Sequence, residues 1–151
     1  MAKLLEQINT DLRRAMKSKD AFSLSVLRLL IAALRNKEIT LRDGGAVELT
    51  DEQAEEVVAS EVKKRRDSAE AYLAGGRPEL ADKENSEIKI LQKYLPEPMS
   101  DQELEKIVKE IIAAGATDFG RIMGKVMARV KGRVNGGKTG ELVKKLLANI
   151  E

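Results

Sequence analysis

The chain has 151 residues, 42% hydrophobic and 34% charged with a net charge of +2, which is enough apolar content for a core and too little net charge for disorder. It holds no Cys, no His and no Trp, and only 3% aromatics. That excludes disulfides, thiol and imidazole catalysis and the usual soft-metal sites, and it requires an aliphatic core. The charge is unevenly spread: residues 1–98 carry 17 Lys/Arg and 18 Asp/Glu, whereas residues 119–145 carry eight basic residues and one acid, Glu141. A locally basic segment points to an anionic partner.

The opening residues, Met1-Ala2-Lys3-Leu4-Leu5-Glu6, lack the apolar run of a signal peptide. The longest apolar run, Leu29 to Leu34, falls far short of the ~20 residues that span a bilayer. A soluble, cytoplasmic chain with no membrane association is the expectation.

Leu5, Ile8, Leu12 and Ala15/Met16 share one face and predict a helix over residues 3–17. Asp20 stands where it can cap the next helix, over 21–39, which is apolar on nearly every face and reads as surrounded by others. Its polar stripe is Ser25, Arg28, Ala32 and Arg35. Arg42-Asp43-Gly44-Gly45 reads as a loop. Thr50-Asp51-Glu52-Gln53 is a capping box opening a helix to about Ala74, with Val58, Val62, Arg65, Ala69 and Tyr72 on one seam. Gly75-Gly76 ends it, Pro78 suits the first turn of the next, and Leu80, Glu84, Ile88, Leu91 and Leu95 keep helical spacing, so a long antiparallel hairpin is expected.

Pro96-Glu97-Pro98 cannot continue a helix and reads as a joint between a helical N-terminal domain, residues 1–95, and a second domain, residues 99–151. Ser100-Asp101-Gln102-Glu103 is a second capping box, followed by Leu104, Ile107, Val108 and Ile111. Asp118 caps a helix carrying Phe119, Ile122, Met123, Val126 and Val130. Asn135-Gly136-Gly137 reads as a turn, and Leu142, Val143, Leu146 and Leu147 form the last apolar face. No segment alternates as a strand would. The expected fold is all-α, a helical N-terminal part plus a small basic three-helix module.

Gly132-Arg133-Val134-Asn135-Gly136-Gly137-Lys138-Thr139 fits the phosphate-loop formula, but that loop needs a strand before it and a sheet around it, and only 12 residues follow Thr139. Its glycines read instead as a helix stop and a turn. In the 119–130 helix, Arg121, Lys125 and Arg129 recur every fourth residue opposite the apolar face, with Gly120, Gly124 and Ala128 as a stripe between them. Close packing within the module is the expected reason for the glycines, and a sugar–phosphate backbone the expected partner of the cations. Lys131, Arg133 and Lys138 extend that charge. Lys63-Lys64-Arg65-Arg66 points in four directions, so it reads as structural ion pairing, with Arg65 seeking Glu84 or Glu87. Phe22, Tyr72, Tyr94 and Phe119 all lie on apolar faces and read as core residues rather than as base-stacking platforms. Ser68 beside Lys64 and Asp67 lacks a deprotonated base, so no catalytic residue is assigned.

The chain resembles the YqeY-like family of small bacterial proteins over essentially its whole length. The residues that carry the resemblance are Lys63-Lys64-Arg65, Asp67-Ser68, Tyr72, Gly76-Arg77, Leu80-Ala81, Glu84, Glu87 and Tyr94-Leu95-Pro96, then Asp118, Gly120, Met123-Gly124, Met127, Lys131-Gly132 and Gly136. Its second half is similar to the tail of the B subunit of glutamine-dependent aminoacyl-tRNA amidotransferase through Asp118, Gly120, Gly124, Met127, Gly132 and Asn135, with Ala128 where that tail often has lysine and Gly136 where it often has proline. The resemblance implies contact with tRNA or an aminoacyl-tRNA complex. It also implies, as an alternative, carbon–nitrogen ligase activity with glutamine as amido-N-donor, or an accessory role to such an amidotransferase, although that enzyme's catalytic domains have no counterpart here. The expectation is a monomeric, non-catalytic module without cofactor or metal that binds tRNA or other RNA through Arg121, Lys125, Arg129, Lys131, Arg133 and Lys138, with Gly120 and Gly124 admitting a close backbone. A protein-interaction module docking through its N-terminal helices is the third reading.

Overall fold

A computed structural model describes residues 2–42, 45, 47–130, 133–134 and 136–150. Among them it holds seven helices and no strand, the all-α class expected: α1 Lys3–Ser18, α2 Ala21–Leu41, α3 Asp51–Ala74, α4 Pro78–Gln92, α5 Asp101–Ala113, α6 Phe119–Arg129 and α7 Gly136–Ala148. The chain separates into two compact units, Met1–Leu95 and Pro96–Glu151, each with its own core. No helix of the described residues is long and apolar enough to cross a membrane.

In the first unit the short-range signals act as expected. Asp20 accepts the Ser23 N–H at 3.1 Å and starts α2. Thr50 and Gln53 form the reciprocal box that starts α3. Gly76 takes a left-handed φ of +74°, which costs glycine nothing, and the Arg77 N–H closes the turn on the Tyr72 carbonyl at 2.8 Å. The first turn of α1 has no side-chain cap of its own, and the Asp51 carboxylate accepts its Leu4 N–H at 3.0 Å. Ile8, Leu30, Val58 and Leu91, one from each helix, are fully enclosed. Each such aliphatic side chain contributes about 1.5–3 kcal/mol by leaving water. Buried Tyr94, just past α4, donates to the Asp11 carboxylate at 2.6 Å and ties that end to α1. Burial pushes its phenol well above the ordinary value, and the hydrogen bond and charge of Asp11 push the same way.

Two expectations for this unit are corrected. α4 stops at Gln92, so Leu95 follows it in a turn, its N–H on the Gln92 carbonyl. α2 is not surrounded. The Ser25–Arg28–Ala32–Arg35 stripe is exposed as expected, but Leu29 at 53% and Ile39 at 61% are exposed with it, and Phe22 lies at its edge. The other helices cover only the flank that holds Val26, Leu27, Leu30 and Leu34.

Between Val62 and Ile88 no residue joins the core of the first unit. This stretch of α3 and α4 is a two-helix arm, and its buried apolar residues are Ala69 and Ala81, small enough to bring the two axes close. Its base is ionic. The buried Arg65 guanidinium donates from Nη1 to Glu61 Oε2 at 2.9 Å and from Nε to Glu87 Oε2 at 3.2 Å. Of the two partners expected for it, Glu87 is the one reached. Glu84 stands beside Glu87, and burial followed by the Glu87 charge holds its carboxyl above the ordinary value of 4.5. Lys64 pairs with Glu61 at 3.4 Å, so the basic run is partly consumed in ion pairs.

In the second unit α5, α6 and α7 pack pairwise around Leu104, Val108, Ile122, Val126, Val130 and Val143. Ser100 accepts the Glu103 N–H at 3.2 Å and caps α5, but the expected reciprocal box is replaced by a longer contact, since the Glu103 carboxylate faces Arg133 at 3.8 Å. Gly136 and Gly137 do not form a turn. They begin α7, whose first helical turn therefore contains both glycines and Lys138.

Candidate nucleic-acid interface

Asp118 positions α6 by accepting the Arg121 N–H at 3.1 Å. Ile122 and Val126 then face the core with no exposure, and Arg121, Lys125 and Arg129 are left on the solvent side at one-turn spacing. Gly120, Gly124 and Ala128 are exposed beside them. A Cβ placed at Gly124 would meet nothing within 4 Å, and one at Gly120 would meet only its own cap, Asp118 Oδ2, at 3.2 Å. The expectation that close packing within the module explains these glycines is therefore corrected. Gly140 of α7 does face a neighbouring helix, where a Cβ would lie at ordinary van der Waals distance, 3.8 Å from Phe119 Cζ and 4.0 Å from Met123 Cε.

The remaining sequence-assigned cations are less alike. Arg129 reaches Glu110 of α5 at 3.3 Å, with both side chains about half exposed. Arg133 braces the unit: its backbone carbonyl accepts the Met99 N–H at 2.9 Å, and its Nε donates to the Glu97 carbonyl at 3.0 Å. Lys138 is exposed in the first turn of α7, on a different helix from the ridge. Lys131, Gly132 and Asn135 lie outside the described residues.

The Gly136-Gly137-Lys138-Thr139 segment departs from a phosphate loop. No described strand feeds it, and Thr139, whose hydroxyl would have to face a phosphate-bound Mg²⁺, is fully buried. No buried side-chain polar atom of the described residues lacks a hydrogen-bond partner. Nor do the described residues bring together three carboxylates able to hold a metal ion.

Sequence reasoning placed all four aromatics in the core, and this is corrected for three of them: Tyr72 is only partly buried, in the arm and outside the core of the first unit. Phe22 and Phe119 are 39% and 38% exposed. Phe119 opens α6, and Lys144 of α7 holds its ammonium 5.5 Å from the ring centroid. No local spacing connects residues 119 and 144, so this pair was invisible before the helices were packed.

The family model of Yqey-like protein matches residues 5–147. The chain belongs to this family. Its curated relatives include the "Altered inheritance of mitochondria protein 41, mitochondrial" of Saccharomyces cerevisiae, 31% identical over 112 residues that make up 73% of this chain and 59% of the yeast protein. The proteins of the same name from Candida glabrata and Eremothecium gossypii are each 33% identical, over 64% and 60% of this chain and 52% and 48% of their own length. The matched region thus spans about half the length of these relatives. They correct two expectations. The cytoplasmic location expected from the lack of a signal-peptide or membrane-spanning run is overturned, because these relatives are mitochondrial proteins by name. A purely bacterial family is also set aside, since all three are fungal.

Proposed function

We propose that this Yqey-like protein is a non-catalytic module whose second unit binds tRNA, or an aminoacyl-tRNA complex, through phosphate contacts made by α6. The observation that carries the reading is the outer face of that helix. Three cations at one-turn spacing border a strip of exposed small residues, and a Cβ added at its centre, Gly124, would meet nothing within 4 Å. A mid-helix glycine costs about 1 kcal/mol relative to alanine, and no internal contact offsets that cost at Gly124. A polyanion lying on the strip would meet Arg121, Lys125 and Arg129 along one edge, while the missing side chains let its backbone come close. The likeness of Asp118, Gly120, Gly124 and Met127 to the amidotransferase tail adds tRNA as the polyanion. Arg133, already bracing the unit, contributes less, and Lys138 extends the field from α7.

The test is tRNA binding by the full chain over a salt series, for the parent and for Arg121→Gln/Lys125→Gln/Arg129→Gln. Each lost phosphate contact releases one fewer counterion, so the slope of log affinity against log salt falls by about two to three units. Glutamine keeps the helix, which circular dichroism verifies. Equal affinity and equal slope would reduce the ridge to a solvated face and leave protein interaction as the better reading.

A further inference from the structure

We propose that the second unit takes an unpaired nucleotide of RNA, its base stacked on Phe119 and its phosphate held by Lys144; this rests on the RNA-binding reading above and adds the single-stranded class of target. At ~100° per residue, Phe119 lies on one side of the Gly120–Gly124–Ala128 strip, and Arg121 and Lys125 lie on the other. A strand laid along the strip therefore has cations along its phosphate edge and an aromatic ring on its base edge. Single-stranded RNA is recognised by this combination of charge and stacking platform, whereas bases inside a duplex are already stacked on both faces and cannot reach the ring.

The ring's surroundings fit that use. Phe119 is 38% exposed at the first position of α6, where a core residue would have been covered. Gly140 of α7, where a Cβ would lie 3.8 Å from Phe119 Cζ, has no side chain to cover the ring. What rests on the ring is the Lys144 ammonium, an exposed group on a flexible four-carbon stem. A cation over an exposed ring holds more weakly than a stacked base does. An incoming base displaces it, and the freed ammonium then neutralises the phosphate of the same nucleotide. Lys144 thus keeps an apolar ring from water in the free protein and becomes a ligand in the complex.

The experiment uses the full chain, a short single-stranded RNA carrying one 2-aminopurine, and the same strand annealed to its complement. The parent is expected to prefer the single strand and to change the 2-aminopurine fluorescence on binding. Phe119→Leu, which keeps apolar contact beside Gly140 and Met123, should lower single-strand affinity roughly 5- to 150-fold, the equivalent of one stacked base, abolish the fluorescence change and leave duplex affinity unaltered. Lys144→Gln should lower the single-strand salt slope by about one unit. Equal losses for both RNAs in Phe119→Leu, or no loss in either, would overturn the stacking site while leaving phosphate binding intact. Failure of the parent to bind either RNA would overturn both readings together.

Discussion

Gly124 sits mid-helix with water on its outer side and no neighbour for an added methyl group. Within the chain alone, alanine is the better residue there. Gly124→Ala should therefore raise stability by about 0.5–1 kcal/mol in urea unfolding. If an RNA backbone lies on the strip, the same change lowers RNA affinity without altering the salt slope, because no cation is lost. A destabilised variant would mean that α6 is packed where the structure leaves it open. Single residues were legible in the sequence where their partners are close along the chain. Asp20, Thr50, Ser100 and Asp118 all cap the helices assigned to them, because a cap needs only a backbone N–H three residues on. Arg65 found a partner 22 residues away because the Gly75-Gly76 turn fixes the register of α3 against α4. Phe119 and Lys144 were not legible, since exposure depends on how three helices close on each other.

Periodicity identified the helices, but it could not say how much of each would be covered. α2 looks encircled because Phe22, Leu29 and Ile39 are apolar, yet the packed helices reach only one flank of it. Gly136 and Gly137 look like a turn by composition, and they open α7 because the first turn of a helix tolerates residues that its middle does not. In the arm, the ionic base makes stability depend on pH. The raised pKa of Glu84 means that the folded chain keeps this proton when the unfolded chain has lost it. The associated stability is complete below 4.5, the unfolded value, and is lost as pH rises through the raised folded value. Glutamine preserves the neutral form at every pH. Glu84→Gln should therefore raise the unfolding midpoint at neutral pH and leave it nearly unchanged around pH 4. A variant destabilised at neutral pH would show that the Glu84 charge supports Arg65 more than it opposes Glu87.

At the scale of the whole chain, two cores share no residue, and the division between the units falls at Leu95–Pro96, where proline removes a backbone donor. A fragment spanning 96–151 should fold by itself, with helical circular dichroism and a cooperative though low thermal transition. Such a length is close to the lower limit for a lone hydrophobic core. A fragment unfolded at low temperature beside a folded full chain would make the first unit a structural requirement of the second. Function was the least legible scale. Composition excluded imidazole and thiol chemistry, and the basic bias pointed to an anion, but neither specifies which polyanion or whether it is paired.

The Arg133 brace has a mechanical side. Its two hydrogen bonds, to Met99 N–H and to the Glu97 carbonyl, fasten the entry segment of the second unit to the stretch between α6 and α7. Tension arriving through Pro96 and Pro98, as when one unit is held and the other is pulled by a bound polymer, therefore reaches this clasp before it reaches α5. The load is shared with the end of the helix that carries the cations, so pulling on the joint would tug first at the segment beside the cationic ridge.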